Sequence, residues 1–278
     1  MSIDHYAVMG NPIKHSKSPA IHRAFAEMTD QHMTYTSILV PEDGFTEAVR
    51  QFFAAGGKGL NITVPFKLQA FELADSCTER AQRARAVNTL ILQANGALLG
   101  DNTDGVGMVR DILHNHDGRI AGKKLLVVGA GGAVRGILAP LLAENPAQVV
   151  LTNRTFDKAA QLAQEFQTLG SISAQRLDEP RQPFNWIING TAASLQGAVP
   201  ELAPAVIDEH TCVYDMMYGK DLTPFNAWAL QQGAHKAFDG LGMLVEQAAE
   251  SFRLWRGVMP PTANVISQLR AAMASTGG

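Results

Sequence analysis

Short apolar runs alternate along this chain with stretches whose apolar positions repeat at helical spacing. The runs predict strands at Tyr6–Met9, Thr34–Val40, Leu60–Val64, Ala86–Leu92, Lys124–Gly129, Val149–Thr152, Trp186–Ile188, Cys212–Asp215 and Ala234–Phe238. The helical patterns fall at Pro19–Met28, Thr46–Ala55, Leu68–Ala74, Asp104–Leu113, Ala133–Ala143 and Asp157–Gln167. Such alternation implies an α/β fold with mostly parallel sheets and right-handed crossovers. The polar, glycine-containing stretch His114–Lys124 divides the pattern into one lobe over 1–103 and a second from 104 to about 236. The last stretch, Asp239–Ala272, reads as helical, and Leu241, Val245, Ala248, Phe252 and Trp255 give it one apolar stripe. That stripe can pack on either lobe.

Composition narrows the class. The 278 residues suit about two domains, and 46% apolar against 18% charged residues is enough to build buried cores. A net charge of −3 gives no reason to expect a polyanionic or membrane-surface partner. No apolar run approaches the ~18 residues of a membrane span, and the N-terminus lacks the basic start of a secretory signal. Cys77 and Cys212 are far apart and match neither a disulfide framework nor a zinc spacing, and the eight histidines form no metal constellation. His114 and His116, flanking Asn115, read as solvated. A cytoplasmic protein is expected, without metal, nucleic-acid or membrane partners; a homodimer is compatible with the sequence.

One segment carries a nucleotide signal. Lys123–Val128 reads as a buried strand, Gly129-Ala130-Gly131-Gly132-Ala133 as a tight turn, and the residues that follow as a helix. Gly129 can make the turn, and Gly131 lets a pyrophosphate approach the backbone at a helix N-terminus. Val134 stands at the third glycine position of G-x-G-x-x-G, so the alternative of a plain strand–helix turn remains. The next strand ends in Asn153-Arg154-Thr155, with Lys158 one turn on. An NAD site places a carboxylate about 20 residues past the glycines, whereas a guanidinium there suits a 2′-phosphate, so NADP is favoured.

Three further clusters offer chemistry. Asn61-Ile62-Thr63-Val64-Pro65-Phe66-Lys67 reads as a strand end and a Pro-initiated helix. Alternation sets Asn61 and Thr63 on one face, and Lys67 lies in a first helical turn, where the dipole disfavours a cation. A lysine there is either a proton donor or a solvated surface residue. In Gly100–Gly105, Thr103 and Asp104 are either helix caps or, if Asp104 faces Lys67, half of a proton-transfer pair. In His15–Pro19, Ser18 reads as N-cap with Pro19 behind it, while Ser16 and Ser18 together can take a carboxylate. Asn88 interrupts an apolar strand and, if buried, needs backbone or ligand partners.

Taken in order, these motifs resemble the shikimate/quinate dehydrogenase family, whose NADP-dependent shikimate dehydrogenases serve the shikimate pathway. Ala86-Val87-Asn88-Thr89, Tyr214-Asp215-Met216-Met217-Tyr218 and Asp239 to Ala248 extend the resemblance nearly end to end. The resemblance implies two α/β lobes with the active site in the cleft. Residues 1–103, completed by helices 240–278, would be the substrate domain, and 104–239 a Rossmann-like NADP-binding domain. It implies that Lys67 and Asp104 are catalytic and that Ser16, Ser18, Asn61, Thr63, Asn88, Tyr218 and Gln247 bind substrate. It assigns the cofactor to Gly129, Ala130, Gly131, Gly132, Ala133, Asn153, Arg154, Thr155, Lys158, Thr191, Met216, Gly240 and Met243, and more weakly to Glu79. Two departures stand out. Gly190 replaces a common alanine, which is expected to loosen a cofactor loop, and Lys158 replaces a frequent arginine. The expected activity is reversible NADPH-dependent reduction of 3-dehydroshikimate to shikimate. The alternatives are a quinate/shikimate dehydrogenase with broader substrates or NAD use, and a non-catalytic NADP-binding sensor.

Overall fold

The computed structural model describes residues 3–275. The chain folds into two compact units, Met1–Gly107 with Val245–Ile266, and Met108–Leu244 with Ser267–Gly278. Residues 245–266 thus join the first unit. The rest of the tail does not: Arg270 is paired with Asp239 and donates to the Gly219 carbonyl, both in the second unit. The expectation that all of 240–278 completes the first lobe is corrected at both ends.

The first unit is built on a sheet ordered β2-β1-β3-β5-β6-β4. Its strands are β1 (Asp4–Gly10), β2 (Met33–Leu39), β3 (Gly57–Ile62), β4 (Ser76–Cys77), β5 (Thr89–Leu92) and β6 (Leu98–Asp101). The pairs of β1 with β2 and β3 are parallel, whereas β5 runs antiparallel to both β3 and β6, so this sheet is mixed. Alternation along β1 sends Ala7 and Met9 into a core with Leu60, Ile62 and Phe66, and Tyr6 and Val8 into one with Ile13 and Tyr35. Helices α1 (Ser18–Met28), α2 (Phe45–Ala54), α3 (Lys67–Leu73) and α4 (Glu79–Ala84) connect the strands, and α5 (Asp104–Arg110) opens in this unit.

The second sheet is fully parallel, ordered β12-β11-β10-β7-β8-β9. It comprises β7 (Lys124–Val128), β8 (Gln148–Thr152), β9 (Ile172–Gln175), β10 (Trp186–Asn189), β11 (Cys212–Asp215) and β12 (Lys236–Asp239). Leu125 and Val127 enter one core and Leu126 and Val128 the opposite one, which is why β7 reads as an unbroken apolar run. Helices α6 (Gly132–Ala143), α7 (Phe156–Phe166) and α8 (Pro224–Gln231) belong here. Chain order reverses at β7, with β8 on one side and β10 on the other, the kind of switch point at which open α/β sheets bind ligands.

The carboxyl-terminal stretch is two helices, α9 (Leu241–Arg256) and α10 (Ala263–Ser275). Gly257, at φ +72°, and the prolines at 260 and 261 break it. Of the stripe, Leu241, Val245, Ala248 and Phe252 are fully buried and Trp255 is half-buried. Asn88 lies in a bend just before β5, and α3 begins at Lys67, after a turn through Val64–Phe66. No helix among the described residues is long and apolar enough to cross a membrane.

Candidate active site

Strand register lines up the polar residues of the first unit. Asn61 faces Thr89 across β3 and β5, and Thr89 faces Asp101 across β5 and β6. The chain leaves β3 through a turn anchored by Phe66, which is fully buried and stacked on Phe45 with ring centres 4.8 Å apart. This anchor delivers Lys67 to the start of α3. Its Nζ donates to Asp104 Oδ2 at 2.6 Å. The two side chains are 31% and 17% exposed, so solvent screens this pair less than it would a surface salt bridge.

Asp104 is the first residue of α5, where the helix dipole favours a carboxylate. Its other oxygen, Oδ1, accepts from Asn88 Nδ2 at 2.9 Å. Asn88 also donates to Thr103 Oγ1 at 2.9 Å, with Gln247 Oε1 at 3.3 Å sharing the same two hydrogens, and its own Oδ1 accepts from the Thr103 N–H at 2.9 Å. Thr103 and Asp104 therefore do not act as simple caps: the Thr103 hydroxyl faces Asn88, and the Asp104 N–H is taken by Asn102 Oδ1 at 3.1 Å. Asn61 joins through the Asn88 carbonyl at 3.1 Å. Lys67, Asp104, Asn88, Gln247 and Asn61 are thus one hydrogen-bonded cluster. Thr63 is half-buried just past β3, and a Cβ on Gly10 would sit 2.3 Å from its methyl, so Gly10 leaves the room that Thr63 needs.

The cap of α1 is not Ser18 as expected. Lys17 occupies the cap position of α1 without a side-chain bond, and Ser18 is already helical. Ser16 Oγ accepts the Ser18 N–H at 3.3 Å, so Ser16 is the residue that serves a backbone group. Burial pushes the Tyr35 phenol well above its usual value, with the Ser18 side chain opposing. Tyr35 stacks on His22 with ring centres 4.1 Å apart. His22 is fully buried, neither ring nitrogen has a well-formed hydrogen bond, and burial pushes the imidazole down to about 3, with Asn61 opposing.

Sequence reasoning missed Tyr35, Thr89 and Ser251. Tyr35 Oη donates to Asn61 Oδ1 at 2.7 Å. Asn61 Nδ2 lies 3.2 Å from Thr89 Oγ1 and 3.0 Å from Ser251 Oγ. The available signals were a threonine inside a quoted motif and a serine on an otherwise apolar helix face.

In the second unit, register brings Val128, Thr152, Asn189, Asp215 and Asp239 into one row at the carboxyl edge. The loops and helix starts that follow carry Gly129–Ala133, Asn153–Lys158, Thr191, Met216, Tyr218 and Gly240. Gly129 has φ +117°, which only glycine adopts readily. A Cβ on Gly131 or Gly132 would meet nothing within 4 Å, and no side chain caps α6. Open space in front of free helix N–H groups suits a pyrophosphate, so the residues present fit a dinucleotide. Asn153 and Arg154 line a cavity of about 490 Å³ with Leu177, Thr191, Val199 and Glu201. Thr155 and Lys158 are exposed outside its wall.

Gly190 does not loosen its loop. A Cβ there would lie 2.4 Å from Val134 Cγ2 and 3.1 Å from Met216 Sδ, so the missing methyl and the valine at the third glycine position fit each other. Asn189 Oδ1 accepts from the Thr191 N–H and hydroxyl, at 3.1 and 2.8 Å. The buried Asp215 carboxylate accepts from Asn189, Ser194 and the Met217 N–H, at 3.1, 2.6 and 3.1 Å. Gly240 is required too, since a Cβ would fall 2.2 Å from the Met216 carbonyl. Met243 packs on the core beneath.

Two assigned residues belong to a different unit from the residues they were grouped with. Glu79 is in the first unit, exposed and paired with Arg83 at 3.0 Å. Tyr218 is in the second; burial, then the Asp239 charge, raises its phenol. His116 is not solvated: it stacks on Phe238 with ring centres 3.9 Å apart and lies 3.4 Å from the buried Asp111.

Comparison with known proteins converges on one family. The model of the shikimate dehydrogenase substrate binding domain matches residues 8–90, that of shikimate / quinate 5-dehydrogenase 111–198, and that of the shikimate 5′-dehydrogenase C-terminal domain 240–270. A shikimate dehydrogenase (NADP(+)) of Alkalilimnicola ehrlichii is 56% identical over 267 residues, 96% of this chain and 98% of the relative. The crystal structure of an Ael1 enzyme from Pseudomonas putida shares 46% identity at a TM-score of 0.92, covering 96% of this chain and 98% of that one. Shikimate 5-dehydrogenase of Thermus thermophilus, solved with NADP(H) and shikimate, shares 31% at 0.85, covering 97% and 100%.

Proposed function

The chain belongs to the shikimate dehydrogenase family, and on that premise we propose that it catalyses the reversible NADPH-dependent reduction of 3-dehydroshikimate to shikimate. The single observation that carries this reading is the Lys67–Asp104 pair, 2.6 Å apart and partly buried among amides.

Bound NADPH supplies a hydride to the ring ketone. Lys67 donates a proton to the oxygen that becomes the alcohol, and Asp104 aims its ammonium. Positioned proton transfer of this kind contributes roughly 10²–10⁴-fold. Ser16 and Ser18 hold the substrate carboxylate. Asn61, Thr63, Asn88, Gln247 and Tyr218 hold its hydroxyls, which orients the ketone before reaction. The Gly129–Ala133 turn holds the pyrophosphate. Asn153, Arg154, Thr155 and Lys158 hold the adenosine 2′-phosphate, and Thr191, Met216, Gly240 and Met243 border the nicotinamide. Glu79 is a weaker cofactor-side candidate. The free thiols Cys77 and Cys212 support a reducing, cytoplasmic setting.

The test is a spectrophotometric assay of cofactor reduction, with shikimate or quinate and with NADP⁺ or NAD⁺. The expected result is turnover of shikimate with kcat/KM at least tenfold higher for NADP⁺. Reduction of neither cofactor by shikimate would overturn the reading.

A further inference from the structure

Hydrogen-bond direction in the first unit is set by atoms that can only accept. Asn61 Nδ2 faces the Asn88 carbonyl at 3.1 Å, so the Asn61 oxygen must face the other way, toward the Tyr35 hydroxyl at 2.7 Å. Asn88 Nδ2 faces the Asp104 carboxylate at 2.9 Å, and Asn88 Oδ1 takes the Thr103 N–H. The side chain that joins the two amides is Thr89. Its Oγ1 accepts from Asn61 Nδ2 at 3.2 Å and donates to Asn88 Oδ1 at 2.9 Å. The donors therefore run one way, from Tyr35 to Asn61, Thr89, Asn88 and the carboxylate that holds Lys67. Asn61, Asn88, Thr89 and Ser251 are all within 6% of complete burial, so water does not compete for these groups. Ser251 Oγ lies 2.8 Å from Thr89 Oγ1; because the Thr89 proton goes to Asn88, Ser251 is the donor in that pair, which ties the threonine to α9.

We propose that Thr89 is a positioning residue for proton transfer: its hydroxyl relays hydrogen-bond polarity from Asn61 to Asn88 and so fixes Asp104 against Lys67. Hydrogen bonds in a dry chain polarise one another, so a break anywhere loosens the end. This rests on the reading of Lys67 and Asp104 as the proton-transfer pair.

Thr89→Val removes the hydroxyl while keeping the shape, and Thr89→Ser keeps the hydroxyl while dropping the methyl. Thr89→Val is expected to lower kcat about tenfold, the scale of one buried hydrogen bond, with the KM for NADP⁺ unchanged. Thr89→Ser is expected to stay within about twofold of the parent. A second readout does not depend on turnover. By NMR, the Asn88 side-chain amide hydrogens should exchange with deuterium about tenfold faster in Thr89→Val and not in Thr89→Ser. If Thr89→Val does not fold, Tyr35→Phe breaks the same chain at its head and should lower kcat in the same direction. Parental kcat and exchange in the variant that folds, or equal losses in Thr89→Val and Thr89→Ser, would overturn the proposal. Absence of shikimate turnover in the parent would instead sink the functional reading, and the exchange measurement would still decide the role of Thr89.

Discussion

Around Lys67 the first unit works with side chains: amides, hydroxyls and one carboxylate, buried or half-buried and each served. At the end of β7 the second unit works with main chain: a glycine at φ +117°, uncapped helix N–H groups and open space where a Cβ would stand. The first arrangement depends on the chemistry of particular atoms. The second depends on the absence of atoms, and therefore on what packs behind it. The same point mutation should have different kinds of consequence in the two places.

Removing chemistry from the first site gives the largest effect. Lys67→Ala should lower kcat by roughly 10²–10⁴-fold with little change in the KM for shikimate, since the ammonium acts on the oxygen that changes charge. Steady-state kinetics over both substrates checks this, and a KM-dominated defect would make Lys67 a binding residue. Adding one methyl to the second site comes next. Gly190→Ala should destabilise the protein by about 1–3 kcal/mol and raise the KM for NADP⁺, because Val134 already fills that volume. Val134→Ala in the same chain should recover most of the loss. Additive damage in a double-mutant cycle would show that the two positions do not share the space.

The last effect lies beneath the first site and is absent at neutral pH. The folded chain holds His22 neutral down to about pH 3, whereas an unfolded histidine binds a proton below about 6.5. Stability contributed by the neutral ring is present above pH 6.5 and is lost on acidification toward pH 3, at about 1.4 kcal/mol per pH unit. Denaturant titrations between pH 7 and 5 should show that slope, and His22→Phe should flatten it. An unchanged slope in His22→Phe would assign the acid sensitivity to carboxylates.

This contrast also explains what the sequence disclosed. Strand–helix alternation was readable because both sheets bury period-two apolar faces, and the glycine turn was readable because backbone sites advertise themselves through residue type. β4, β6 and β9 escaped notice: they are two to four residues long, and β6 carries a glycine and an aspartate. Pairing with neighbours, not local pattern, makes them strands. Lys67, Asp104 and Asn88 could be named from their motifs, but which oxygen of Asp104 each one holds could not. Ser251 was invisible as a functional residue because its partners lie up to 190 positions away. Ser18 reads as the cap because Pro19 fits N1 or N2 of α1 equally well, and the helix begins one residue earlier. The coupling of Val134 to Gly190 needed three dimensions outright.

The dependence of the first unit on residues 245–266 has a consequence for biosynthesis. A ribosome releases Asn61, Thr89 and Asn88 long before it has made Gln247 and Ser251. Until then those groups sit on a sheet whose covering helix does not exist, and they remain hydrated and interchangeable. Premature termination between β12 and α9 should therefore yield a polypeptide that retains its nucleotide turn yet never assembles its proton-handling machinery.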